Sequence, residues 1–225
     1  MIRRVASFDE LLATSFAQGV NALCWPRVLP GDFGGIVARV GGGEGIVALD
    51  EPRLRALAAS DADQAVIAFL LEDQQRLRAH GLAPELNCIH GYPRDEDAGA
   101  APTDVYSFHA DSAPVPADTW LCTYHGAPSE GLFNAEAQRR VDLPALRAEL
   151  LRRFGGSDDD AFDDYLQENC HDLHYVPLPH ARPFSFGVGH LWRIAVDYPG
   201  SPVPPCIHRA PATQPGDAPR LLLIS

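Results

Sequence analysis

From about Pro84 onward, the chain consists of short segments rich in aromatic and β-branched residues, separated by proline, glycine and aspartate. Such segments form β-strands, and turn residues between them are typical of a sandwich or barrel of many short strands. The sequence therefore predicts a β-rich core for residues 84–225. The segments are ELNCIHGY, DVYSFHAD, DTWLCTYHG, LHYVPL, PFSFGVGHLWRIAVDY, PCIHRA and PRLLLIS.

Residues 1–83 lack this pattern and are predicted to be mainly helical. Ser7 begins the stretch SFDE, which has the form of a capping box with Glu10. The stretch 60–81, SDADQAVIAFLLEDQQRLRAHG, has a serine to cap it, acidic residues in its first turn and basic residues in its last turn. Each of these stabilises a helix. A helical insert is also expected at about 142–169, which gives an α+β fold with a helical N-terminal layer.

Length, charge and cysteine content limit the function classes. The 225 residues, 46% of them hydrophobic, suffice for one good-sized core, so a single domain over 1–225 is expected. A net charge of -12 repels nucleic acid and anionic membrane surfaces, so we expect neither as a partner. No apolar stretch approaches the ~20 residues of a membrane helix, and a signal peptide is not expected. The five scattered cysteines, without a C-x-x-C pair, indicate reduced thiols and a cytoplasmic protein.

Four residues of the β-rich part have side chains suited to metal and anion binding. His109 and Asp111 in YSFHAD are two positions apart, so in an extended strand they point to the same side. About a hundred residues later, His208 lies in another short strand, and Arg220 opens the last one. Two histidines and one carboxylate form the facial triad of non-haem iron(II) oxygenases, which leaves coordination positions open. An arginine one strand further on can hold a dicarboxylate cosubstrate by a two-point, charge-assisted contact.

This order of H-x-D, a distal H-R-A-P and a downstream arginine resembles the Fe(II)- and 2-oxoglutarate-dependent oxygenase superfamily. More narrowly, NALCWPRVLP, YSFHAD, LCTYHG and IHRAPATQPGDAPRLLL are similar to an uncharacterised bacterial domain family with F-H-x-D, T-Y-x-G and terminal H-R-[AS]-P segments. The resemblance covers residues 21–30 and the strands from about 104 to 225. It implies a double-stranded β-helix, the cupin-like jelly roll, with helices packed on one side.

The resemblance also implies roles for single residues. His109, Asp111 and His208 would bind Fe(II), and Arg220 would bind the side-chain carboxylate of 2-oxoglutarate. The implied activity is hydroxylation, or another oxidation by dioxygen, of an unactivated C–H bond in a small molecule or an exposed side chain. Two further residues are candidates for contact with the cosubstrate or the pocket, namely Tyr124 on the strand WLCTYHG and Asn87 on ELNCIHGY.

Other interpretations of these residues stay open. The protein could be a non-catalytic, cupin-type metal-binding protein, or a cupin dioxygenase that does not use 2-oxoglutarate. The stretch NCHDLHYVP contains a rival metal motif at 170–174. Cys88, His90 and Cys206 could also join histidines of the triad in a zinc or three-histidine centre.

Overall fold

Two mostly antiparallel, curled β-sheets face each other, and helices cover the outer face of the larger sheet. The computed structural model describes residues 1–95, 101–214 and 216–225, so position 215 of the segment IHRAPATQPGDAPRLLL lies outside the described residues. The prediction of an α+β fold with a β-rich, sandwich-like core is confirmed.

The larger sheet has seven strands, and all of its neighbouring pairs are antiparallel except β1 with β2. Across this sheet the order is β1 (Ile2–Arg4), β2 (Ala22–Trp25), β11 (Leu191–Ala195), β6 (Asp118–His125), β13 (Arg220–Ile224), β4 (Glu85–Ile89) and β3 (Ile46–Ala48). The smaller sheet has six strands, all antiparallel. Its order is β10 (Phe184–Ser185), β7 (Glu130–Leu132), β12 (Ile207–Arg209), β5 (Phe108–His109), β9 (His174–Pro177) and β8 (Ala137–Arg139).

The described residues contain six α-helices, and the two best-defined helical predictions are confirmed. The side chain of Ser60 accepts a hydrogen bond from the backbone N–H of Asp63 and so caps the longest helix. Two helices occupy the predicted insert at about 142–169. No helix in the described ranges has both the length and the apolar content needed to cross a membrane. The helices are α1 (Phe8–Ala13), α2 (Phe33–Val40), α3 (Glu51–Ala56), α4 (Asp61–Arg78), α5 (Pro144–Phe154) and α6 (Asp160–Glu168).

The N-terminal part is less purely helical than the sequence predicts. Strands β1, β2 and β3 all lie within residues 1–83, and all three belong to the larger sheet. Each has only three or four residues and gains its hydrogen bonds from a distant strand, as β2 does from β11. Strands this short carry too few alternating residues to be recognised from a local pattern.

The strands of the larger sheet direct alternate side chains to two different cores. On β6, Trp120, Cys122 and Tyr124 pack in the cluster beneath the helices, whereas Leu121 packs in a cluster between the sheets. On β13, Leu221 and Leu223 face the helices and Leu222 faces the smaller sheet. This alternation follows from the two-residue period of a strand. It determines which polar residues can reach a site between the sheets.

A buried ionic network fixes the helical layer to the larger sheet. Asp73 on α4 is 1% exposed, and one of its carboxylate oxygens lies 2.8 Å from Nη1 of Arg27, which follows β2. The other oxygen accepts a 2.7 Å hydrogen bond from the hydroxyl of Tyr124. A carboxylate removed from water in this way is tolerated only because it is paired and hydrogen-bonded.

Replacement of Arg27 by methionine should therefore lower the free energy of unfolding by about 3 kcal/mol, because it leaves the buried charge of Asp73 poorly compensated. The matched control is Arg55→Met, since Arg55 forms a solvent-exposed pair with Glu51 on α3. That change should leave the urea midpoint nearly unchanged. Urea unfolding followed by circular dichroism measures both, and equal midpoints for the two variants would contradict a structural role for the network.

Candidate metal centre

The pairing of β5 with β12 places two histidines side by side. His109 and His208 are direct partners in this antiparallel pair, and their ring centroids lie 4.6 Å apart. Phe108 and Ile207, the residues just before them, pack in a separate cluster on the other face of the smaller sheet. The two imidazoles therefore share the face that is turned toward the larger sheet.

Asp111 completes a three-residue group. Its Oδ1 lies 3.7 Å from Nε2 of His109, and its Oδ2 lies 3.7 Å from Nε2 of His208. All three ligand atoms lie within 4.8 Å of one another. Among the described residues, this is the group of three or more histidine, cysteine or acidic side chains that could hold a metal ion. Two ligands at ~2.1 Å from one ion and at right angles are about 3 Å apart. The three ligand atoms lie up to 4.8 Å apart, so they must approach one another by as much as about 2 Å to close around a divalent ion, and the donor types are those that a metal binds.

Hydrogen bonds hold each ligand in an orientation suited to a metal. The hydroxyl of Thr119 on β6 donates to Oδ2 of Asp111 over 2.5 Å, which ties the carboxylate to the larger sheet. The backbone carbonyl of Ser107 lies 2.9 Å from Nδ1 of His109. A proton on Nδ1 that is donated to this carbonyl leaves the lone pair on Nε2 available. Nδ1 of His208 has a longer contact of 3.4 Å with the carbonyl of Cys206.

The electrostatic environment favours the protonation states that bind metal. Burial, and then the neighbouring charge of His208, lowers the pKa of His109 to about 4. Burial alone would raise the pKa of Asp111, but the charge of His208, the Thr119 hydrogen bond and the charge of His109 together lower it. At neutral pH the imidazole of His109 is therefore neutral and the carboxylate is ionised, as a metal requires.

Arg220 is a buried cation near this group. It is 1% exposed, and no carboxylate in the described part of the chain forms an ion pair with it. Its guanidinium donates to three hydroxyls, those of Tyr92 and Ser129 at 3.0 Å and that of Thr123 at 3.4 Å, while Nε has no hydrogen-bond partner. Burial lowers the pKa of Arg220 below its ordinary value. A buried charge balanced only by neutral hydroxyls favours an anion as partner.

The strand register places Arg220 close to the histidines. Gly131 on β7 pairs directly with His208, and Ser129, which contacts Arg220, lies two residues before it. Two residues of extended chain span about 7 Å. The buried cation and the metal ligands therefore lie within the reach of one small molecule between the sheets.

The other two predicted site residues lie on opposite faces of the larger sheet. Tyr124 packs on the helical side of β6, stacked on Phe33 and hydrogen-bonded to Asp73, so its hydroxyl does not reach the metal ligands. The strand alternation explains this, because Thr123 faces the smaller sheet and its neighbour must face the helices. Asn87 is buried on β4, and its two neighbours, Leu86 and Cys88, face the helices. Asn87 therefore shares the inner face of the sheet with Ile89, which pairs with Arg220.

Sequence reasoning missed five residues that support the site, namely Ser107, Thr119, Thr123, Tyr92 and Ser129. For Thr119 a signal was available, since Thr119, Leu121 and Thr123 alternate along one face of DTWLCTYHG. The contacts of Tyr92 and Ser129 with Arg220 join residues about a hundred positions apart, and no local pattern encodes them.

The rival metal motifs are not assembled in the described residues. Cys88 faces the helical cluster, away from the triad. In the 170–174 motif, Cys170 is exposed while His174 is buried next to His109. All five cysteines are free. Comparison with protein-family models, with curated proteins and with solved structures finds no match to this chain.

The protein should bind one divalent ion per chain, and His109→Ala should weaken that binding at least about 100-fold, since even outer-shell partners contribute 10- to 100-fold. His180→Ala is the matched control because His180 is an exposed histidine outside the group. Equilibrium dialysis against Mn(II) or Co(II), with metal counted by mass spectrometry, gives both values. Equal losses in the two variants would contradict the assignment.

Tyr124→Phe should leave metal affinity unchanged while lowering the free energy of unfolding by about 2 kcal/mol, because a hydrogen bond to the buried charge of Asp73 is lost. Dialysis and urea unfolding of the same preparation separate the two effects. Loss of metal binding without loss of stability would place this hydroxyl in the site after all.

Proposed function

We propose that the protein is a non-haem Fe(II)- and 2-oxoglutarate-dependent oxygenase, and that its two-sheet core is a variant of the double-stranded β-helix. The single observation that carries the proposal is a buried arginine, with no carboxylate partner among the described residues, beside a two-histidine, one-carboxylate group. A metal-storage or metal-sensing protein needs the group of metal ligands but has no use for the buried arginine. An enzyme that binds a dicarboxylate next to its metal needs both.

The residues divide the task of holding two cofactors. His109, Asp111 and His208 would occupy one face of the ion and leave the opposite positions open for cosubstrate and dioxygen. Arg220 would receive the far carboxylate of 2-oxoglutarate, with the hydroxyls of Thr123 and Ser129 holding the guanidinium in place. Ferrous iron with 2-oxoglutarate and dioxygen supplies the oxidation of an unactivated C–H bond, with succinate and carbon dioxide as co-products.

Asp111 limits the outcome of the reaction. Halogenation requires the carboxylate position to be vacated for halide, and here that position is occupied by a carboxylate anchored to Thr119. Hydroxylation, desaturation and cyclisation are compatible with the triad. The proposed substrate is a small molecule or an exposed side chain.

A hollow lies beside the segment that directly follows Asp111, although none of the three proposed ligands lines it. It measures about 460 Å³ and is lined by residues 112–114 and 197–199 together with Gln167. Residues 112–114 follow Asp111 directly, and the Asp111 side chain is 32% exposed. The space is of the size that small-molecule sites in proteins have.

Anaerobic addition of Fe(II) and 2-oxoglutarate should produce the weak visible charge-transfer band of a chelated cosubstrate. Arg220→Met should abolish or strongly weaken this band at moderate cosubstrate concentration while iron binding persists, because only the carboxylate contact is lost. Arg209→Met is the matched control, since Arg209 follows His208 directly but pairs with Glu130 and lies over Phe108, on the other face of the sheet.

Formation of succinate under air provides the second measurement. The wild-type protein should convert 2-oxoglutarate slowly even without its substrate, and Arg220→Met should do so much more slowly than Arg209→Met. A protein that binds the metal but gives neither band nor succinate would favour the non-catalytic cupin alternative. Succinate-independent oxygen consumption would favour a cupin dioxygenase that does not use 2-oxoglutarate.

A further inference from the structure

A third buried imidazole lies next to the triad and has no role in the proposed function. His174 on β9 is the direct partner of His109 in the antiparallel pair with β5, and their ring centroids lie 5.7 Å apart. Since His208 pairs with His109 on the other side, the three histidines form one row across the smaller sheet. His174 is only 5% exposed.

Ser107 connects two members of this row. Its backbone carbonyl faces Nδ1 of His109 at 2.9 Å, and its hydroxyl oxygen lies 2.5 Å from Nδ1 of His174. The same hydroxyl donates to the backbone carbonyl of Asp104 over 2.9 Å. A serine hydroxyl has a single proton, so toward His174 its oxygen accepts and the imidazole donates from Nδ1.

We propose that His174 is a positioning residue that holds Ser107 so that His109 presents Nε2 to the metal; this inference rests on the proposed metal centre. The turn that contains Ser107 is fixed on one side by Asp104, which accepts from both the backbone N–H and the hydroxyl of Ser107. His174 fixes it on the other side. With both anchors present, the Ser107 carbonyl has one direction, and this direction sets the orientation of the His109 ring.

Removal of the His174 contact leaves the turn anchored only at Asp104. The Ser107 peptide group can then rotate. Because its carbonyl is the partner of Nδ1 of His109, the His109 ring can rotate with it. The fold does not depend on this contact, because the ladder between β5 and β9 is made by backbone groups. A purely structural histidine would affect stability, whereas a positioning histidine affects the metal.

Two amide substitutions distinguish these roles. The side-chain N–H of asparagine lies near the position of the imidazole Nδ1, and that of glutamine lies near the position of Nε2. His174→Asn therefore retains a donor for Ser107, whereas His174→Gln carries the same functional group one bond too far away. Ser107→Ala removes the acceptor without altering His174, but it also removes the hydroxyl's hydrogen bond to the Asp104 carbonyl, so only the backbone N–H of Ser107 still anchors the turn at Asp104.

The experiment uses Co(II) as the probe on the full-length chain, with affinity from equilibrium dialysis and ligand geometry from visible absorption. His174→Gln and Ser107→Ala should each weaken Co(II) binding by about 10-fold, the lower end of the range for outer-shell partners, and should alter the absorption bands. His174→Asn should stay close to the wild-type affinity. The melting temperature of each metal-free variant is measured alongside.

Equal Co(II) affinity in all four proteins would overturn the proposal, and so would equal weakening by asparagine and glutamine. Weakening that follows the melting temperature alone would also overturn it, since that is the result for a structural histidine. A wild-type protein that binds no Co(II) would contradict the metal centre itself, so the failure of the proposed function is visible before any variant is compared.

Discussion

The site depends on one interaction, the antiparallel pairing of β5 with β12. These strands have only two and three residues, yet their register sets His109 directly against His208. A slip of one residue would turn one imidazole to the opposite face of the sheet, because side chains alternate along a strand. Strand β7 on one side and β9 on the other hold this pair within a six-stranded sheet.

The second constraint is electrostatic. The side chains of Arg27 and Arg220 are both buried at the larger sheet, and they differ in their partners. Arg27 is neutralised by Asp73 under the helices, which is the expected arrangement for a structural charge. Arg220, on the inner face, donates its side-chain hydrogen bonds only to hydroxyls among the described residues. This difference between the two faces of one sheet is the physical basis for assigning Arg220 to ligand binding.

The sequence could predict which three side chains come together better than it could predict the framework around them. The spacing of His109 and Asp111 and the distant His208 were sufficient to propose one group, and the structure brings the three together. Tyr124 lies on the helical side of β6, because the alternation along the strand turns its neighbour Thr123 toward the smaller sheet. The supporting contacts of Ser107 and His174, and the short strands β1 and β3, depend on pairing between distant segments, which a local pattern does not contain.

X-ray absorption spectroscopy of the protein loaded with one equivalent of Fe(II) tests the central claim most directly. We expect a first shell of nitrogen and oxygen only, at about 2.0–2.2 Å, with the outer-shell scattering of two imidazole rings and the remaining positions filled by water. A sulfur scatterer at about 2.3 Å, or the scattering of a single imidazole, would contradict the assignment of the ion to His109, Asp111 and His208.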